Sequence, residues 1–284
     1  MAILIDFNHL YLSSLFVSYE MREKNESGVR HVFLNTLVSM KKKFKEEYGD
    51  IIICADSSNS WRKDIFPYYK ANRSENREKD GLDWSEIFTW LNSMYADLSE
   101  VFPYKTIKVD RCEADDVIAV ICKKKGVFLN DGSEKFLIMS KDHDFKQLHY
   151  FANIYQYDNT NKKYIVEQNP DEALIMHIMR GDGGDGIPNI LSPGDSYVLK
   201  KRQKPLTAKR IEFYKVEENR KQDEFIQERF EMNKRLVDFS EIPQHYVDNI
   251  VAEYEKPMEK DRRKLNTYFM NKRLKLLAEN IQDF

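Results

Sequence analysis

The chain has 284 residues, 42% hydrophobic and 32% charged, with a formal net charge of −2. That length suits one large domain or a domain with a satellite, and the apolar fraction is enough for a real core. No run approaches the ~20 apolar residues of a membrane span, and the opening MAILIDFNHLYLSSLF carries no basic leader or small-residue cleavage site. Three cysteines without metal-ligand spacing (Cys54, Cys112, Cys122) and six scattered histidines argue against a His/Cys zinc site. A reduced, cytoplasmic, membrane-free protein is expected.

In chain order, the apolar run AILID ends in Asp6 and is followed by helical patterns over 10–21 and 29–47. DIIICAD ends in Asp56. Next comes WRKDIFPYYKANRSENREK, where Arg62, Lys63, Lys70, Arg73, Arg77 and Lys79 lie among Trp61, Phe66, Tyr68 and Tyr69. Cations interleaved with aromatics suit phosphate pairing and base stacking; a solvated helix face over a few core aromatics has the same composition. A helical pattern over 84–101 leads to KTIKVD, then to CEADDVIAV, which opens a helix over 114–125. There Glu113 and Asp116 share a face, with Asp115 beside them. KFLIMSKDHDF sets Asp142 and Asp144 at a strand end, and GDGGDGIP offers Asp182 and Asp185 in a glycine-rich turn. After about residue 190 the strand-like runs stop, and the remainder is helical and basic. Strand–helix alternation predicts an α/β fold with a mainly parallel central sheet flanked by helices, followed by a helical C-terminal region.

Ligand sites in open α/β sheets lie beyond the carboxyl ends of the strands, and nine acids occupy segments that converge there. Taken singly, a strand-end Asp is more often a turn or helix cap. DHDF also begins like a calcium loop, but Lys146 takes the third ligand position and no Gly follows. Together, nine carboxylates repel without cations, and an oxygen-only set suits Mg²⁺, with Mn²⁺ as a substitute. A pair of such ions points to phosphodiester chemistry. Leaving those nine out of the 47 acids sets 38 against 45 cations, so the remaining surface is basic.

The ordered motifs WRKDIFPYYKANR, CEADD, SKDHDFKQL and GDGGDGIPNI resemble the flap endonuclease and 5′→3′ exonuclease superfamily. The YYKANR and VDFSEIP stretches most resemble its branch of phage ribonuclease H enzymes. The resemblance implies a PIN-like nuclease domain over 1–185, with an arch or bridge over 61–80, and a helical DNA-binding region over 186–284. It implies Asp6, Asp56, Glu113, Asp115 and Asp142 around a first metal, with Asp116 close by. Asp144, Asp182 and Asp185 fall to a second. Lys70 and Arg73 are expected at the scissile phosphate, with Arg62, Lys63, Tyr69 and Arg77 on nucleic acid. The family's glycine hairpin is replaced here by NILSPGDSYVLKKRQKPLTAKR, where Lys200, Lys201, Arg202, Lys209 and Arg210 remain available for phosphates. The implied activity is removal of RNA primers and 5′ segments from RNA–DNA and DNA duplexes by a monomer. Single-strand binding protein and a sliding clamp are candidate partners, although ENIQDF is too short to read as a clamp motif. A PIN-type ribonuclease and a non-catalytic DNA-binding module are the alternatives.

Overall fold

The computed structural model describes residues 1–128, 132, 134–258 and 262–284. Strand β1 (Ala2–Asp6) is buried along its whole length, and its end caps the next element. Asp6 accepts from the His9 amide and starts α1 (Phe7–Glu20). Asn25 does the same for α2 (Glu26–Tyr48), which leads into β2 (Ile51–Cys54). The basic–aromatic stretch becomes two short helices, α3 (Arg62–Ile65) and α4 (Asn72–Lys79), ahead of α5 (Trp84–Glu100). After β3 (Lys105–Ile107), α6 (Ala114–Lys125) opens with a capping box. Glu113 accepts from the third helical amide, and Asp116 accepts from the Glu113 amide.

The chain continues through β4 (Phe136–Met139), a 3₁₀ segment Asp144–Tyr150, β5 (Ile154–Asp158) and β6 (Lys163–Ile165). Helix α7 (Pro170–Arg180) has Asn169 as its cap and Pro170 in its first turn. The rest is helical: α8 (Ala208–Lys215), α9 (Glu217–Lys221), α10 (Glu224–Val237), α11 (Gln244–Glu255), α12 (Arg263–Asn271) and α13 (Lys275–Ala278). All four helices expected in the first half are found, within about a turn of their expected bounds.

The sheet order is β3-β2-β1-β4-β5-β6, parallel except for the antiparallel edge strand β6. β1 pairs with β2 on one side and β4 on the other, so the order reverses between β1 and β4. Asp6 closes one of these strands, and Asp142 follows the other. Sequence reading did not anticipate the β5–β6 hairpin. IYQYD is too polar to read as a buried strand, yet Gln156 is fully buried within it.

Both sheet faces are covered, which is why the strands read as continuous apolar runs. One core joins the sheet to α1, α2 and α5, and Leu265, Phe269 and Phe284 complete it. The opposite core brings α6 and α11 together through Ile118, Ile121, Tyr246 and Ile250. A third lies under the bridge, where Phe66 and Tyr69 meet Met179 of α7 and Phe230 of α10. The C-terminal helices therefore share cores with the α/β layer. The final residue of ENIQDF, Phe284, is fully buried.

Candidate metal centre and its cationic bridge

The carboxylates divide into two groups according to what faces them. In the first, Asp6 and Asp115 are set mainly against other acids, while Asp56 also faces Lys70 and Asp144 also faces His177. Burial, then Asp56, pushes the Asp6 carboxyl up to about 7. Burial, followed by Asp6, Asp142, Asp144 and Asp56, pushes Asp115 up strongly. Asp56 and Asp144 are also raised, chiefly by burial. Around Asp6 and Asp115 the protein's own cations only partly offset this crowding of acids. An oxygen-only set of this kind fits a hard divalent ion.

The second group is paired within the protein. Glu113 is held down at about 2 despite burial, because Lys70 and Arg62 lie against it. Arg62 donates from Nη1 to Glu113 at 3.1 Å and to Asp116 at 3.0 Å, from Nη2 to Asp116 at 2.7 Å, and from Nε to the Leu236 carbonyl at 2.8 Å. Asp116 accepts further from Trp61 Nε1 and the Glu113 amide and is wholly buried. Two of the expected site residues turn inward. Arg62 is only 3% exposed, with its donors engaged inside the protein. Asp116 is held by Arg62, Trp61 and a backbone amide, which makes it an anchor of the helix start in this structure. Sequence cannot tell Arg62 from Lys63, but only the first turns inward.

Tyr69 turns inward too. It is buried, and its hydroxyl lies 2.8 Å from both Glu113 and Asp185. Lys70 adopts a left-handed backbone, φ 58°, which aims its ammonium at Glu113 and, at 3.6 Å, at Asp185. Burial opposes its charge, but Asp185 and Glu113 raise its pKa nevertheless. Arg73 pairs with Asp185 and donates from Nε to the Gly184 carbonyl at 3.3 Å. Asp185 thus anchors the bridge.

The glycine loop is built for close approach. Gly181 has φ +67°, and a Cβ there would stand 2.2 Å from the Ile187 carbonyl oxygen. The turn lets Asp182 bridge to Ile187, while Asp182 Oδ1 accepts from the Gly184 and Asp185 amides at 2.6 and 3.1 Å. Its other oxygen faces His177 of α7. The His177 ring lies 3.0 Å from Asp144 and 3.5 Å from Asp182. Against the effect of burial, these carboxylates push the imidazole up to about 10. The hydrogen bond from His177 is the largest influence holding Asp182 at about 2. Sequence reading missed His177 because nothing in MHIMRGD signals that the loop folds back over the helix end. It also missed Gln156, whose Nε2 donates to the Ser140 and Asp142 carbonyls at 2.9 and 2.6 Å and fixes the Asp142 segment.

Two clefts reach these acids. One, of about 680 Å³, is lined by Asp56, Glu113, Lys70, Arg73, Lys63 and Arg77. Arg77 stacks on Phe88 at 4.8 Å. The other, of about 520 Å³, is lined by Asp142, Asp144, His177 and Asp182. Lys201, Arg202, Lys209 and Arg210 are exposed farther along. Lys200 reaches back to Glu75 of α4 at 2.7 Å.

Residues 1–174 match the family described as 5′-3′ exonuclease, N-terminal resolvase-like domain, and residues 169–284 match T4 RNase H, C terminal. The chain is 31% identical to the ribonuclease H of Enterobacteria phage T4, over 99% of this chain and 95% of that protein. It is 28% identical to a 5′-3′ exonuclease of Buchnera aphidicola subsp. Schizaphis graminum, over 64% of this chain and 62% of that one. The fold is similar to that of the bacteriophage T5 D15 flap endonuclease, solved as a pseudo-enzyme–product complex with DNA and metal ions. The TM-score is 0.59 at 16% identity, covering 99% of this chain and 98% of that one. A resolvase-like N-terminal half, a T4 RNase H-type C-terminal half and carboxylates gathered at the strand ends all lead to one assignment: this chain is a member of the 5′-3′ exonuclease family.

Proposed function

We propose that the chain is a divalent-metal-dependent 5′→3′ exonuclease and flap endonuclease that hydrolyses phosphodiesters near the 5′ ends of RNA–DNA and DNA duplexes, removing RNA primers during replication. The observation that carries this reading is the crowding of carboxylates around Asp115 at the β1/β4 switch point, beside the cations Lys70 and Arg73. Asp6, Asp56, Asp115 and Asp142 would hold one Mg²⁺, and Asp144 and Asp182 a second. Bound ions supply electrophilic stabilisation of phosphate oxygens and make water a better nucleophile.

The chain's own residues do the rest. Lys70 and Arg73 turn from Glu113 and Asp185 to the phosphate being cut. Lys63 and Arg77 line the cleft by which a 5′ strand approaches. Residues 1–185 form the nuclease unit, and 186–284 grip duplex backbone through Lys201, Arg202, Lys209 and Arg210. Among the described residues no helix is long and apolar enough to cross a membrane.

A 5′-labelled RNA–DNA hybrid with Mg²⁺ or EDTA tests the reading. Asp142→Asn is expected to abolish cleavage and leave duplex binding intact or tighter, since it removes negative charge near phosphate. Turnover within about tenfold of the unaltered protein at saturating Mg²⁺ would refute the site.

A further inference from the structure

We propose that His177 is a ligand of the outer metal site, giving it one nitrogen donor beside the oxygens of Asp144 and Asp182, and that this site therefore prefers borderline ions to Mg²⁺. The proposal rests on the two-ion reading above and adds a chemical difference between the two positions. One ring nitrogen and one oxygen from each Asp lie within 4.8 Å of one another. Asp144 lies against Nδ1 and Asp182 against Nε2, so the side chains adjust before one nitrogen and both oxygens stand about 2.0–2.2 Å from one ion.

Three further observations support it. Asp144 Oδ1 is buried and receives no well-aligned hydrogen bond, although His177 Nδ1 stands 3.0 Å away. Asp182 has one oxygen fixed by two loop amides, which leaves the other aimed at the ring. Ligands held in this way are what a formed site needs. Access is open, because the triad forms part of the wall of the 520 Å³ cleft. The inner position, by contrast, is lined chiefly by the carboxylates of Asp6, Asp56, Asp115 and Asp142. Imidazole favours later first-row ions and carboxylate favours Mg²⁺, so the two positions differ in kind.

Two measurements on the DNA-free full chain test this, with His177→Gln as the variant that keeps size and polarity. Electron spin-echo modulation of bound Mn²⁺ is expected to show ¹⁴N coupling in the unaltered protein and none in His177→Gln. Calorimetric titration is expected to show the variant losing about tenfold or more in Co²⁺ affinity at one site, with Mg²⁺ affinity there changed less than about threefold. Two Mn²⁺ per chain without ¹⁴N coupling overturns the nitrogen ligand and leaves the two-ion reading standing. Coupling that persists in His177→Gln assigns the nitrogen to another histidine and overturns it too. One ion per chain overturns both.

Discussion

Replacing Arg62 with Met tests the claim that this cation belongs to the interior. The substitution removes four hydrogen bonds, three of them to carboxylates. Glu113 retains Lys70, but Asp116 keeps only the neutral donors Trp61 Nε1 and the Glu113 amide while remaining wholly buried. Removing one partner of a buried pair costs about 3–5 kcal/mol, because the other charge is left uncompensated. At about 2–4 °C per kcal/mol for a chain of this size, the melting temperature should fall by roughly 6–20 °C. Adding Asp116→Asn to Arg62→Met removes the stranded charge and should recover part of the loss. Lys63→Met, on the same helix but exposed, should change stability by no more than ~0.5 kcal/mol while weakening DNA binding. The assay is thermal unfolding followed by circular dichroism in EDTA, alongside a DNA titration. If Arg62→Met melts within about 2 °C of Lys63→Met and the two lose DNA affinity alike, the buried assignment is wrong.

The metal-free protein should lose stability as pH rises through about 7. Asp6 binds its proton more tightly folded than at its ordinary 3.8, so its contribution is present at low pH and lost across that window. Glu113 and Asp182, held at about 2, contribute above their ordinary values of 4.5 and 3.8, and that contribution is lost as pH falls towards 2. A melting temperature in EDTA that is flat from pH 5 to 8, or one that Mg²⁺ raises no more at pH 8 than at pH 5, would contradict this balance. Lys70→Ala should cut the single-turnover rate at saturating DNA by about 10²–10³. The Lys201→Ala/Arg202→Ala pair should keep that rate and lower the salt slope of binding by about 0.9 for each phosphate left unpaired; equal affinity losses with no rate loss would end the separate role of Lys70. Gly181→Ala should destabilise the chain and raise the Mg²⁺ requirement, since its Cβ meets two backbone carbonyls at 2.2 and 2.5 Å; an unchanged melting temperature and Mg²⁺ titration would show that the turn relaxes freely.

The strand–helix alternation was legible because β1, β2 and β4 are buried on both faces and leave uninterrupted apolar runs. Each run ends in an acid, so the carboxylate cluster was legible too. What the sequence could not convey was which charges cancel. WRK gives no sign that Arg62 turns inward and Lys63 outward; that depends on the Leu236 carbonyl, 174 residues away. His177 was hidden for the same reason, since its partners come from a 3₁₀ segment and a glycine loop. Gln156 sits in a strand whose polar letters disguise it, because its amide serves the chain beside Asp142 rather than the ladder.

The bridge and the glycine loop are joined through the loop's carbonyls as well as through the Asp185 side chain. The Lys70 amide donates to the Asp185 carbonyl at 2.8 Å, and the Asn72 side chain to the Gly183 carbonyl at 2.8 Å across 111 residues. Because these hydrogen bonds read carbonyl positions and not side chains, they dictate the loop's shape while leaving much of its wording free. Among homologues, insertions in one segment should coincide with compensating changes in the other. A chimera that transplants either segment alone should fare worse than one that carries both.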